Sequence, residues 1–205
     1  MQARYAGHCA ACAKRIEPAA EIARSADGSA WVHAACAASA SAPTGKATKR
    51  KAGPRVLTPD EPVPAGTTEV FTDGACRGNP GPGGWAWVVS DGPRDSGHDP
   101  ATTNQRMEVR AAYEAIRVLP GTLVVVSDST YVVNCFKNSW WTGWRARGWV
   151  SSANKPVANR DLWEPLIDLV EERGDVTFRW VKGHSGHPMN DLVDRLAVEA
   201  SHHGR

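Results

Sequence analysis

An α/β fold, with a mixed sheet flanked by helices and a small separate module ahead of it, is predicted for this chain by three observations. From residue 69 onward, β-branched runs alternate with stretches of helical periodicity. Residues 1–38 carry three of the five cysteines in a compact pattern, Cys9, Cys12 and Cys36. Residues 39–68 are rich in Ala, Pro, Thr and Lys and have no apolar periodicity, the mark of a flexible, partly extended linker. The expected organisation is a module at 1–38, a basic, Pro-rich linker at 39–68 and a larger domain at 69–205.

In the larger domain the elements follow in order. TEVFTDG (68–74) and GWAWVVS (84–90) read as the first two strands, joined by the Gly/Pro-rich turn GACRGNPGPG, and RDSGH (94–98) as a short third. Residues 106–119 read as a helix stopped by Pro120-Gly121. The run TLVVVSD (122–128) is apolar enough for a strand covered on both faces. Helices are expected at 129–138, 140–147 and 160–173, then the strand VTFRWV (176–181) and a last helix at 190–202.

Composition narrows the partners. With 41% hydrophobic and 22% charged residues the chain can bury an ordinary core. No apolar run approaches the ~18 residues that cross a bilayer, and the opening MQARYAGHCAACAK lacks a secretory apolar core, so a cytoplasmic protein with no membrane partner is expected. The net charge of +2 is uneven: residues 41–68 hold five Lys/Arg against two Asp/Glu, and residues 69–205 hold 15 against 17. Bulk charge would not draw a nucleic acid to the larger domain, which leaves local patches and carboxylate-bound cations to do so. The linker cluster Lys46, Lys49, Arg50, Lys51 and Arg55 is either a phosphate contact or a solvated charge run.

Four acids stand where a sheet would gather them. Asp73 ends a strand, Glu108 lies in the first turn of a helix, Asp128 ends the next strand and Asp194 sits on the final helix. Such a set suits a hard cation held by oxygen ligands, and two cations about 4 Å apart can activate a water and stabilise a leaving oxygen. Each acid alone reads as a turn or cap residue. Their surroundings are more specific: DGACRGNPGPGGW, TTNQRMEVRAA, DSTYVV and KGHSGHPMNDLVD, in that order. These blocks closely resemble the type 1 ribonuclease H family over about residues 69–201.

The resemblance implies a mixed five-stranded sheet and hydrolysis of the RNA strand of RNA/DNA hybrids by two Mg²⁺ ions, with Mn²⁺ as an alternative, leaving 5′-phosphate and 3′-hydroxyl ends. It carries the metal-ligand roles onto Asp73, Glu108, Asp128 and Asp194, and the catalytic histidine onto His184 in KGHSGH. His187 takes a structural position. The backbone around Gly74 and Cys76 and the side chains of Asn79, Asn104 and Gln105 would face the RNA, where amides both donate to and accept from 2′-hydroxyls. Thr103 and Asn159 match a pocket for a DNA phosphate, while Thr130 departs from members that carry Gln there. Residues 129–160 hold five Lys/Arg and no acid, interleaved with Trp140, Trp141, Trp144 and Trp149. That stretch resembles the basic handle of handle-bearing members, with Trp140, Trp144, Arg145 and Arg147 as hybrid contacts and at least one of the tryptophans buried. A monomer is expected. An integrase or transposase of the same fold, and a catalytically dead hybrid-binding adaptor, are the competing readings.

In the amino-terminal module, Cys9-x-x-Cys12 is followed after a 20-residue loop by His33-x-x-Cys36. Two such paired knuckles supply the four N/S ligands of a tetrahedral, structural Zn²⁺ site, without which so short a domain could scarcely hold together. A redox Cys-x-x-Cys is the alternative, though no βαβ pattern surrounds it, and His8 is an alternative ligand to His33. Cys76 and Cys135 read as free thiols. The module's partner is left open between a protein and a nucleic acid.

Overall fold

A computed structural model describes residues 2–3, 7–9, 12, 14–25, 31–38 and 53–202. The basic cluster at 46–51 lies outside these residues. The chain forms two compact units, residues 1–51 and 52–205.

The first unit is built from two short antiparallel pairs. Strand β1 (Gly7–His8) pairs with β2 (Arg15–Ile16), and β3 (Ile22–Arg24) with β4 (Trp31–His33), which runs into helix α1 (Ala34–Ala38). Its apolar core is Ala3, Cys9, Ile16, Ile22 and Val32.

The second unit is a six-stranded mixed sheet. Strand β5 (Val56–Leu57) is followed by β6 (Thr68–Cys76), β7 (Gly81–Val89) and β8 (Arg94–Thr102). After helix α2 (Asn104–Val118) come β9 (Leu123–Ser127), α3 (Thr130–Lys137), α4 (Trp140–Ala146), α5 (Arg160–Arg173), β10 (Val176–Trp180) and α6 (Pro188–His202). The spatial order is β5-β10-β9-β6-β7-β8. Strands β6, β7 and β8 pair antiparallel, while β9, β10 and β5 run parallel with β6. Central β9 is buried throughout, as its apolar run requires. Leu123 and Val125 face the core shared with α2, α3 and α5; Val124 and Val126 face the one shared with Val193 and Ala197 of α6. The period of two thus serves two helical layers.

The sequence reading differs from this at its edges. The sheet has six strands instead of five, because Val56–Leu57, inside the expected linker, pairs parallel with β10 and buries Leu57. Strand β8 runs nine residues instead of five, held by its ladder to β7 although most of its side chains are exposed and carry no apolar period. Helix α2 starts at Asn104 behind a Thr103 cap whose side chain accepts from the Arg106 amide, and α6 starts at Pro188. Among the described residues no helix is long and apolar enough to cross a membrane.

Candidate active site

Sheet register brings the first two acids together. Phe71 of β6 lies opposite Val126 of β9 in a parallel pair, so Asp73 and Asp128, each two residues further on, reach the same level on neighbouring strands. Helix α2 can lie against β6 because residue 74 is glycine: a Cβ there would sit 2.2 Å from the Glu108 amide nitrogen and 2.3 Å from the Met107 carbonyl carbon. This close approach delivers Glu108 to the same sheet end. Helix α6, crossing the other face, carries Asp194.

The electrostatics report the convergence. Asp73 is buried, and its carboxyl is pushed up to about 8, first by burial, then by the charge of Asp128; the charges of Asp194 and Glu108 add to this, while the Gly74 amide, donating to Oδ1 at 2.7 Å, pulls the other way. Glu108 is also raised, by burial first; hydrogen bonds from Ser129 and Asn104 counter this, and Asp128 adds to it. Ser129 Oγ donates to Glu108 Oε2 at 2.6 Å and Asn104 Nδ2 to Oε1 at 2.9 Å. Asn190 Nδ2 donates to Asp128 Oδ2 at 3.2 Å, and the Trp180 indole donates to the Asp128 carbonyl at 3.0 Å. An all-oxygen set in which Asp73 and Glu108 are raised by burial and by neighbouring carboxylates fits a hard divalent cation, which would replace repulsion by attraction.

The loop 182–186 closes over Asp128: a Cβ on Gly183 would come 2.6 Å from Asp128 Oδ2. His184 follows, exposed, with a left-handed φ of 50° that holds the ring out on the loop. His187 instead packs its ring 5.0 Å from that of Phe71.

The expected substrate contacts divide into groups. Asn79 Oδ1 accepts from the Asn104 amide at 3.1 Å, tying the β6–β7 turn to the start of α2, while Gln105 is exposed beside them. The Cys76 thiol is turned onto the carbonyls of Gly81 and Thr102. Thr103 and Asn159 are joined through Arg106, whose amide donates to Thr103 Oγ at 3.4 Å and whose guanidinium donates to Asn159 Oδ1 at 3.5 Å while bidentately paired with Asp161. On the handle, Trp140 is exposed and its ring lies 6.3 Å from that of Trp144, whereas Trp141 and Trp149 are buried. Arg145 is ion-paired with Asp168 and Glu171, and Arg147 donates to the Val150 carbonyl. Ser129, Asn190 and Arg106 were missed by the sequence reading. The spacing of Asn190 four residues before Asp194, on one helix face, was the one available signal.

In the first unit the ligand atoms of Cys9, Cys12, His33 and Cys36 all lie within 4.8 Å of one another. His33 Nε2 faces the Arg15 carbonyl at 3.2 Å, which leaves Nδ1 toward Cys12 Sγ at 3.5 Å and Cys36 Sγ at 4.0 Å. A backbone carbonyl thus fixes the tautomer and orientation that a ligating imidazole needs. The Cys36 thiol is pushed up to about 11, chiefly by its hydrogen bond with Cys12. No cysteine forms a disulfide. The side chain of His8 lies outside the described residues.

Known proteins match the second unit. The RNase H family model matches residues 65–202. Ribonuclease H of Erythrobacter litoralis is 51% identical over 138 residues, 65% of this chain and 94% of that protein. Ribonuclease HI of Caulobacter vibrioides is 47% identical over 135 residues, 63% of this chain and 89% of that one. Among solved structures, LC9-RNase H1, described as a type 1 RNase H with the type 2 active-site motif, superposes with a TM-score of 0.57 and 31% identity over 69% of this chain and 74% of that one. The chain belongs to the ribonuclease H family and is a nuclease of the hydrolase class.

Proposed function

We propose that the second unit cleaves the RNA strand of RNA/DNA hybrids internally, with two Mg²⁺ ions held by Asp73, Glu108, Asp128 and Asp194, leaving 5′-phosphate and 3′-hydroxyl ends. The observation that supports this reading is that buried Asp73 feels the charges of Asp128, Asp194 and Glu108 at one end of the sheet, and buried Glu108 feels that of Asp128. When bound, the divalent ions supply a nucleophile at neutral pH and stabilise charge on the leaving oxygen.

The chain's own groups supply the geometry. Asp73 and Asp128 occupy the centre, with Glu108 and Asp194 completing the ligand set on either side. Ser129 and Asn104 hold both oxygens of Glu108, and Asn190 holds Asp128, so the carboxylates keep their aim as substrate enters. His184, exposed on its loop, moves a proton at an imidazole nitrogen near the departing strand. Asn79, Asn104 and Gln105 select 2′-hydroxyls, and the Thr103–Arg106–Asn159 constellation receives a phosphate of the DNA strand. Cys9, Cys12, His33 and Cys36 hold a structural Zn²⁺ that organises the first unit.

The test uses labelled RNA/DNA, RNA/RNA and DNA/DNA duplexes with Mg²⁺, beside Asp128→Asn. Cleavage of the hybrid alone, abolished in the variant with binding retained, is expected. Cutting of DNA/DNA would move the chain to an integrase-like activity, and hybrid binding without cleavage to an adaptor.

A further inference from the structure

A groove of about 290 Å³ opens between α3 and the segment the sequence presents as linker, with Thr130, two residues beyond Asp128, in its lining. Val56, Thr58 and Pro59 line the wall on the linker side. It is fixed in place. Strand β5 pairs with β10, the Phe178 amide donates to the Arg55 carbonyl at 3.0 Å, and the Thr58 amide donates to Glu61 Oε2 at 3.3 Å. Arg179, itself buried, reaches both the Glu61 carbonyl and Glu69 Oε1, locking the segment to the sheet.

The facing wall is one side of α3. Thr130, Val133, Asn134 and Lys137 stand three, four and seven residues apart, which places them on a single helical face along the groove. Trp180 lines the groove as well, and its indole donates to the Asp128 carbonyl at 3.0 Å, which ties that edge of the groove to the backbone of Asp128. Its chemistry combines valine, proline and indole surface with a hydroxyl, an amide and the exposed ammonium of Lys137. Aromatic and apolar surface suits a base or ribose, an amide suits a 2′-hydroxyl, and an ammonium suits a phosphate. The volume stands at the low end of the roughly 300–1,000 Å³ typical of small-ligand sites, enough for one nucleotide and far too small for a duplex.

Resting on the hybrid-cleaving reading above, we propose that this groove seats a nucleotide of the RNA strand adjoining the cleaved position, which makes the β5 segment part of the substrate-binding surface. The linker side chain Thr58 is exposed at the groove, and it is its backbone that holds the loop, the amide donating to Glu61 Oε2 and the carbonyl accepting from the Glu61 amide at 3.2 Å. Charge can therefore be added there without dismantling the wall.

The experiment measures steady-state cleavage of a hybrid by the full-length chain and by Thr58→Glu and Thr58→Lys, at low and high salt. Thr58→Glu is expected to raise KM roughly three- to tenfold and Thr58→Lys to lower it, with kcat changed far less and both effects fading as salt rises. Opposite shifts for opposite charges are what a merely structural role would not produce. Wild-type KM in both variants, or shifts in the same direction, would overturn the groove assignment while leaving hybrid cleavage standing. Failure of the wild-type chain to cut the hybrid would overturn the reading beneath it, and the groove with it.

Discussion

Replacing Asp73 by Asn should make the cation-free protein more stable while removing its activity. The carboxyl is held at about 8 against an ordinary 3.8, so at pH 7 it is protonated in the folded chain and ionised in the unfolded one. Folding then has to take up a proton across the interval from 3.8 to 7, which at about 1.36 kcal/mol per unit is on the order of 4 kcal/mol of lost stability. The penalty is absent below pH 3.8, grows as pH rises toward 8 and is complete above it. Asn keeps an acceptor for the Gly74 amide and discards the charge. Urea unfolding in Mg²⁺-free buffer, followed by tryptophan fluorescence at pH 5 and pH 7, should show Asp73→Asn ahead of wild type, with a clearly larger margin at pH 7. Adding Mg²⁺ should stabilise wild type and leave the variant nearly unmoved. A margin equal at the two pH values, or a variant less stable than wild type, would refute the claim that Asp73 carries the strain of the carboxylate cluster.

Other outcomes follow from the same contacts. Ser129→Ala removes both the cap on the Val132 amide and a donor to Glu108, so urea unfolding should register a loss of about 1 kcal/mol and initial-rate assays a reduced hybrid cleavage. The lost donor also lets the Glu108 pKa rise further, moving the Mg²⁺ requirement for cleavage toward higher pH. Gly84→Ala would place a Cβ 2.3 Å from the Ala197 carbonyl and 2.5 Å from the Ser201 amide, pushing α6 and Asp194 off the sheet. A cost of about 3 kcal/mol, read as a Tm lower by roughly 6–12 °C, is expected together with loss of cleavage. Removal of Zn²⁺ by a chelator should abolish hydrogen-exchange protection in β1–β4 and leave that of β6–β10 intact.

The placement of Asp73 and Asp128 at one sheet end was readable from the sequence, since they close two apolar runs that become neighbouring strands. Their supports were not readable. Asn190 touches Asp128 across 62 positions of sequence and Arg106 reaches Asn159 across 53, distances at which local pattern carries no signal. Strand β5 escaped because two apolar residues in a Pro-rich stretch have no period to detect, and its pairing is dictated by the open edge of β10. The charge partners of the handle were hidden for a related reason. Arg145 looks uncompensated within residues 129–160, yet its partners Asp168 and Glu171 arrive from α5, a helix further on. The cysteine pattern, by contrast, already contained the whole Cys9, Cys12, His33 and Cys36 cluster, because the four positions themselves define it.

The central claim, that Asp73, Glu108, Asp128 and Asp194 together capture divalent cations, is tested most directly by anomalous diffraction from crystals of the full-length protein grown with Mn²⁺. Manganese density is expected at the end of β6 and β9, bounded by these four side chains and lost in Asp128→Asn. Manganese bound elsewhere on the sheet, or density there that survives the substitution, would contradict it.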